Sequence, residues 1–181
     1  ASATSRTRRA DVPAGPIVFF HAHPDDEAIF TGGTIARLRA EGHDVALVMA
    51  TTGDLGTPDA QGRALAAVRE RELADACMVL GLSLVIQMGH GDSGLDERHA
   101  PDRAFVRVPV ETAADVLARI LRKLRASALV VYDEGGVYGH PDHVHVHRVG
   151  HAAAALAEVA TVYDATVDRE YLHFVDTHLI D

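Results

Sequence analysis

Short apolar runs alternate along the chain with segments of helical period. Ile17 to Phe20 (IVFF), Val45 to Ala50 (VALVMA), Leu84 to Met88 (LVIQM) and Ala128 to Tyr132 (ALVVY) each read as a buried strand. The stretch TVYDA (161–165) reads as a fifth. Between them, residues 25–41 carry a helical pattern that ends at Gly42, a good residue to close a helix in the left-handed conformation. A second helix is predicted from about Ala64 to Leu80, stopped by Gly81. A third has the clearest stripe: Ala113, Val116, Leu117, Ile120, Leu121 and Leu124 share one face, with Asp115, Arg119, Arg122 and Lys123 outside it. A fourth runs from about Pro141 to Val159. The segment from Gly89 to Phe105, rich in Gly, Asp and His, reads as a loop long enough to carry function. Strands that are continuously apolar and alternate with amphipathic helices imply a parallel sheet covered on both faces. Right-handed crossovers then give an α/β fold, a three-layer α/β/α Rossmann-like sandwich with a mostly parallel sheet.

At 181 residues, 48% apolar and 24% charged, the chain suits one globular domain. Residues 1–15 are polar and basic and read as a flexible leader, with residues 16–181 as the domain. The leader has no apolar core of the kind a signal peptide needs, and no apolar run approaches the roughly 20 residues that cross a bilayer. A cytoplasmic location without a membrane span is therefore the expectation. One cysteine, Cys77, excludes a disulfide scaffold. On the predicted second helix it shares a stripe with Leu73 and Leu80, which points to inert packing. The net charge of −9 repels nucleic acid and favours a small neutral or cationic substrate. Twelve histidines beside one cysteine direct any metal toward nitrogen and oxygen ligands.

The chemistry concentrates in two similar segments, His23-Pro24-Asp25-Asp26-Glu27 after the first strand and His140-Pro141-Asp142-His143 after the fourth. In each, proline can take the first helical position, where its missing N–H is harmless, and acidic residues fall in the first turn, which the helix dipole favours. Loops at the carboxyl ends of parallel strands line the ligand crevice, so the two segments are expected to face each other there. His23, Asp26 and His143 would supply two imidazoles and one carboxylate, leaving a fourth position open on a tetrahedral zinc. Asp25 and His140 would then be free to act as base and as acid or oxyanion stabiliser. The competing reading makes each segment a helix start with a capping role only.

The segment AHPDDEAIFTGG, the HPDH motif preceded by Tyr138-Gly139, and Arg69-Glu70-Arg71-Glu72-Leu73 together resemble the LmbE-like, or PIG-L, family of zinc-dependent de-N-acetylases, from about Ile17 to Tyr163. The resemblance implies His23, Asp26 and His143 as ligands of one Zn²⁺ per chain, other divalent metals being compatible, and Asp25 as general base. It implies His140, with Tyr138 nearby, as oxyanion stabiliser and Asp142 as the group orienting an imidazole. It also matches Arg69 and Asp92 to substrate-contacting positions. Family members often continue well past the fifth strand, whereas this sequence ends at Asp181.

Other candidates carry two readings each. Arg69 on an apolar helix face must pair or reach a pocket. Asp54, at the end of the second strand, can bond a sugar hydroxyl or shape its turn. His143, His147 and His151 recur every four residues, as in a metal-binding face or an ordinary exposed one; extra ligands would overfill a tetrahedral site, so His145, His147 and His151 are left out of it. Gly32-Gly33 reads as a close packing contact, since no phosphate-binding glycine fingerprint is present. The expected function is zinc-dependent removal of an N-acetyl or short N-acyl group from a small amino sugar such as an N-acetylglucosaminide. The alternatives are hydrolysis of another amide, such as a thiol conjugate, and a metal-loaded sugar-binding protein with little turnover. Oligomeric state is open.

Overall fold

The computed structural model describes residues 15–55 and 65–170. Residues 1–14 of the expected leader, 56–64 of the loop after the second strand and 171–181 lie outside this description. Five parallel strands form one sheet: β1 (Ile17–His21), β2 (Val45–Thr51), β3 (Val85–His90), β4 (Ala128–Tyr132) and β5 (Val162–Ala165). Their order is β3-β2-β1-β4-β5, so the chain reverses its direction of travel across the sheet between β1 and β4. This reversal is the switch point at which open parallel sheets bind ligands, beyond the carboxyl ends of the strands.

Alternation along each strand assigns the two faces. Val18 and Phe20 of β1, with Ala46, Val48 and Ala50 of β2, pack on α4 (Val110–Leu124) and α6 (Pro141–Ala157) through Ala113, Leu117, Leu121, Val146, Val149 and Ala153. Phe19, Leu47 and Met49 face the other way, onto Ile35 of α2 (Gly32–Ala40) and Leu73 and Cys77 of α3 (Leu65–Leu80). Strands buried on both faces have no polar positions to alternate, which is why the sequence shows continuous apolar runs. Helix α6 packs tightly on the sheet at Gly150: a Cβ there would sit 2.4 Å from Val131 Cγ1. Burial of Cys77 raises its thiol to about 11, which fits the inert packing expected of it.

Several boundaries differ from expectation. The helix predicted over 25–41 is two, α1 (Asp26–Ile29) and α2. Thr31 leaves the helical region at φ −131° and its hydroxyl meets the His21 ring, while Gly32 and Gly33 weaken the helix just beyond it. These glycines are not a close packing contact: a Cβ at Gly33 would meet nothing within 4 Å, and one at Gly32 only ordinary contacts. The third strand runs to His90, and the expected loop from Gly89 holds two 3₁₀ turns, Glu97–His99 and Phe105–Arg107. A bridge between Gly91 and Ala104 closes that loop, and fully buried Phe105 anchors it between His90 and His145. A short turn of helix, α5 (Gly136–Gly139), precedes α6.

Candidate active site

The two His-Pro-Asp segments leave β1 and the β4 loop side by side at the switch point. The His23 ring lies 4.6 Å from that of His140 and 5.3 Å from that of His143, centroid to centroid. Three donor atoms form a nearly equilateral triangle: His23 Nδ1 to Asp26 Oδ2 3.4 Å, His143 Nε2 to Asp26 Oδ2 3.4 Å, and His143 Nε2 to His23 Nδ1 3.3 Å. Donors about 2.0–2.1 Å from a tetrahedral ion lie about 3.3–3.4 Å from one another. Electrostatics agree with the fit. Burial depresses the His23 imidazole, but its hydrogen bonds to Asp142, Asp26 and Asp92 prevail and push it up to about 12. Burial would likewise raise Asp26, and the bonded imidazoles of His143 and His23 hold it far below the carboxylate range instead. A cluster that binds a proton so firmly is built around positive charge, which a divalent ion supplies. His23, His140 and His143 form a second donor group within reach of a single ion, so this is a candidate His/Asp metal site.

The triangle is set by neighbours that orient each ligand. Asp142 is fully buried and accepts from His23 Nε2 at 3.0 Å, so an ion that displaces the proton on Nδ1 finds that nitrogen turned into the triangle. The same carboxylate accepts from the Ser93 N–H at 2.9 Å and from its hydroxyl. On the other side, Asp26 Oδ2 accepts from the His23 N–H and the Tyr132 hydroxyl, both at 2.7 Å. The Tyr132 oxygen in turn accepts from the Ala22 N–H at 3.2 Å and from His21 Nδ1 at 2.8 Å. His21 Nε2 lies 2.8 Å from Thr31 Oγ1, whose hydroxyl donates to the Glu27 carbonyl at 3.2 Å, so a hydrogen-bonded chain runs Thr31, His21, Tyr132, Asp26. Burial pulls the His21 ring down to about 4 and keeps it neutral.

Asp25 stands at the mouth. It adopts φ +127°, a region costly for any residue with a side chain. Its N–H donates to Glu27 Oε2 at 3.0 Å, and its carboxylate accepts from Arg69 Nη1 at 2.5 Å. Burial raises Asp25 and outweighs Arg69, which lowers it. His140 caps α6: its Nδ1 accepts from the Asp142 N–H at 3.1 Å. Burial and the nearby His23 cation take its ring down to about 4, so it is neutral with the proton on Nε2, a donor. A cavity of about 400 Å³ is lined by His23, Asp25, Asp26, Arg69, Asp92 and His140, with Ile29, Leu95 and Tyr138 as an exposed apolar rim.

The expected residues therefore converge, with one exception. Asp92 lines the cavity, its Oδ1 3.5 Å from His23 Nε2. Arg69 does both things weighed for it, pairing with Asp25 and lining the cavity. Asp54 is outside: its carboxylate is consumed by Arg103, the Thr52 hydroxyl and the Asp92 N–H, so it braces a loop rather than reaching for a ligand. His145 is structural, bonded to the Val108 carbonyl at 3.0 Å and packed on Phe105. Sequence reasoning missed His21, Tyr132, Thr31 and Ser93. Only the polar ends of β1 and β4, His21 and Tyr132, hinted at them.

The sequence profile of the PIG-L family, described as GlcNAc-PI de-N-acetylase, matches residues 18–154. The chain belongs to the PIG-L family. This PIG-L chain is 43% identical over 157 residues to a 1D-myo-inositol 2-acetamido-2-deoxy-alpha-D-glucopyranoside deacetylase of Thermomonospora curvata, a match covering 78% of this chain and 52% of the relative. It is 41% identical over 162 residues to the enzyme of the same name from Streptomyces griseus, covering 81% and 50%. The chain thus spans about half the length of the curated relatives it matches. Among solved structures it resembles N,N'-diacetylchitobiose deacetylase from Pyrococcus horikoshii, with a TM-score of 0.63, 28% identity and coverage of 78% of this chain and 49% of that one. The conserved protein TT1542 from Thermus thermophilus gives a TM-score of 0.64 at 28% identity, covering 86% and 68%. Both likenesses agree with the α/β sandwich of this PIG-L chain. Among the described residues, no helix is long and apolar enough to cross a membrane.

Proposed function

We propose that this chain carries the hydrolytic centre of a zinc-dependent deacetylase acting on a small amino sugar of the N-acetylglucosaminide class. The observation that carries the reading is the triangle of His23, Asp26 and His143 donor atoms, 3.3–3.4 Å on each side, two of whose residues, His23 and Asp26, line the cavity. His23, Asp26 and His143 would hold the ion through two nitrogens and one oxygen, a set that leaves coordination open. Zinc bound there supplies Lewis acidity toward an amide oxygen and toward water.

The chain's own groups supply the rest. Asp25, raised by burial yet ionised beside Arg69, accepts a proton from the attacking water at the cavity mouth. His140, neutral with its Nε2–H available, donates to the oxyanion that develops on the acetyl oxygen, and exposed Tyr138 stands next to it. Asp142 holds the His23 ring. Asp92 and Arg69 offer an acceptor and a donor to sugar hydroxyls, and Ile29 and Leu95 offer apolar surface to the ring. The relatives' names support an inositol-linked 2-acetamido-2-deoxy-glucoside as the substrate.

The test is acetate release by zinc-loaded protein from a panel of N-acetylglucosaminides that includes the inositol-linked sugar. Turnover abolished by Asp25→Ala supports the reading. Sugar binding without acetate release by fully metal-loaded protein overturns it in favour of a binding role.

A further inference from the structure

A second cluster of metal-ligating side chains lies outside the cavity. His147 and His151 stand four residues apart on α6, one turn above the other, with ring centroids 4.4 Å apart. Asp164 reaches them from β5: its Oδ1 is 2.8 Å from His151 Nε2, and the three side chains can offer one ligand atom each, all within 4.8 Å of one another. His147 Nδ1 lies 2.9 Å from the Tyr132 backbone oxygen. A carbonyl only accepts, so that nitrogen carries a proton and Nε2 is left with the lone pair in the neutral ring. An imidazole N–H held by a backbone carbonyl is how metal-ligating histidines are commonly oriented. The three side chains are 22%, 43% and 41% exposed, so an ion reaches them from solvent without any opening of the fold.

These residues cannot serve the ion of the cavity. His151 is eight residues beyond His143, about 12 Å along the helix axis. The four-residue recurrence of His143, His147 and His151 thus divides into one residue for the cavity and a pair elsewhere. Ring centres 4.4 Å apart fit two imidazoles at about a right angle around one ion, as in square-planar or octahedral coordination, where a nitrogen–metal distance of about 2.0–2.1 Å puts such centres about 4.5 Å apart. β5 is short, is flanked in the sheet by β4 alone among the described strands, and has its middle two residues exposed. An ion shared between α6 and Asp164 would tie that edge strand to the helix.

We propose that His147, His151 and Asp164 form a second, surface metal site for a borderline divalent ion (Zn²⁺, Ni²⁺ or Cu²⁺), which clasps α6 to β5. Imidazole suits these ions, and water completes the coordination. The site owes nothing to the reading of the cavity. The experiment strips the full chain with a chelator and titrates Zn²⁺ against a chromophoric competitor, in wild type, His151→Gln and Asp164→Asn. The glutamine keeps a hydrogen-bonding group opposite Asp164 but is not a ligand. The expected result is one fewer bound ion in each variant than in wild type, with Zn²⁺ slowing amide exchange at residues 162–165 by about tenfold in wild type only. An equal count in wild type and variants overturns the proposal. Failure of the cavity cluster to load would lower every count alike and leave the difference intact.

Discussion

The Tyr132 hydroxyl donates to Asp26 Oδ2 at 2.7 Å, joining the last residue of β4 to a corner of the donor triangle. Tyr132 is fully buried, and Asp26 beside it adds to the burial that raises its phenol well above the usual range. The phenol therefore stays protonated and its donor role is fixed. Tyr132→Phe leaves Asp26 Oδ2, the His21 ring and the Ala22 N–H short of a partner. We expect metal affinity to fall about 10–100-fold, the usual effect of deleting a group that orients a ligand. A competition titration checks it. Unchanged affinity would mean that Asp26 is held by the His23 N–H alone.

Asp25 combines an unfavourable backbone with a reactive position. Its φ of +127° costs on the order of 1–3 kcal/mol, the kind of strain retained at functional sites. Its ion pair with Arg69 is 44% exposed on the carboxylate side, so it returns only about 0–1 kcal/mol. Asp25→Gly should therefore leave stability unchanged or raise it by about 1 kcal/mol, while kcat falls about 10²–10⁴-fold. Urea denaturation and steady-state rates on the same preparation separate the two effects. A variant that loses both together would make Asp25 a structural residue.

His140 has two roles that substitution can divide. Its Nδ1 caps α6 and its Nε2–H faces the cavity. His140→Asn retains a good capping side chain, whereas His140→Ala loses the cap and about 1 kcal/mol with it. Both should lose about 10²–10³-fold in kcat, as for removal of one oxyanion donor. Retention of most activity in the asparagine variant would limit His140 to capping.

The layered fold was legible because its strands are buried on both faces and α4 presents a clean stripe. The pairing of the two His-Pro-Asp segments followed from topology: loops after β1 and β4 must meet where the strand order reverses. What escaped was set by tertiary contact. Thr31 breaks the first helix because its hydroxyl is drawn to His21, and a pattern of period 3.6 contains no term for that. Asp54 looked like a ligand contact because it ends a strand, but Arg103, far away in sequence, captures its carboxylate. His21 fell just beyond the first apolar run and Tyr132 closed the fourth, and nothing in the period of either run showed that their polar ends organise the site.

His21 also sets a pH dependence. Burial depresses its ring from 6.5 to about 4, opposed by Asp26 and assisted by His143. Between those values the unfolded chain binds a proton that the folded chain refuses, so folding is favoured above pH 6.5 and weakened as pH falls toward 4. The gap corresponds to about 3 kcal/mol for one fully buried group. A bound divalent ion next to Asp26 would repel a proton on His21 further, which leaves the sign unchanged. Urea midpoints measured at pH 7 and pH 4.5 should therefore separate more for wild type than for His21→Gln, whose amide does not titrate. Equal separation in the two proteins would show that His21 exchanges its proton with solvent through local opening rather than resisting it in the folded state.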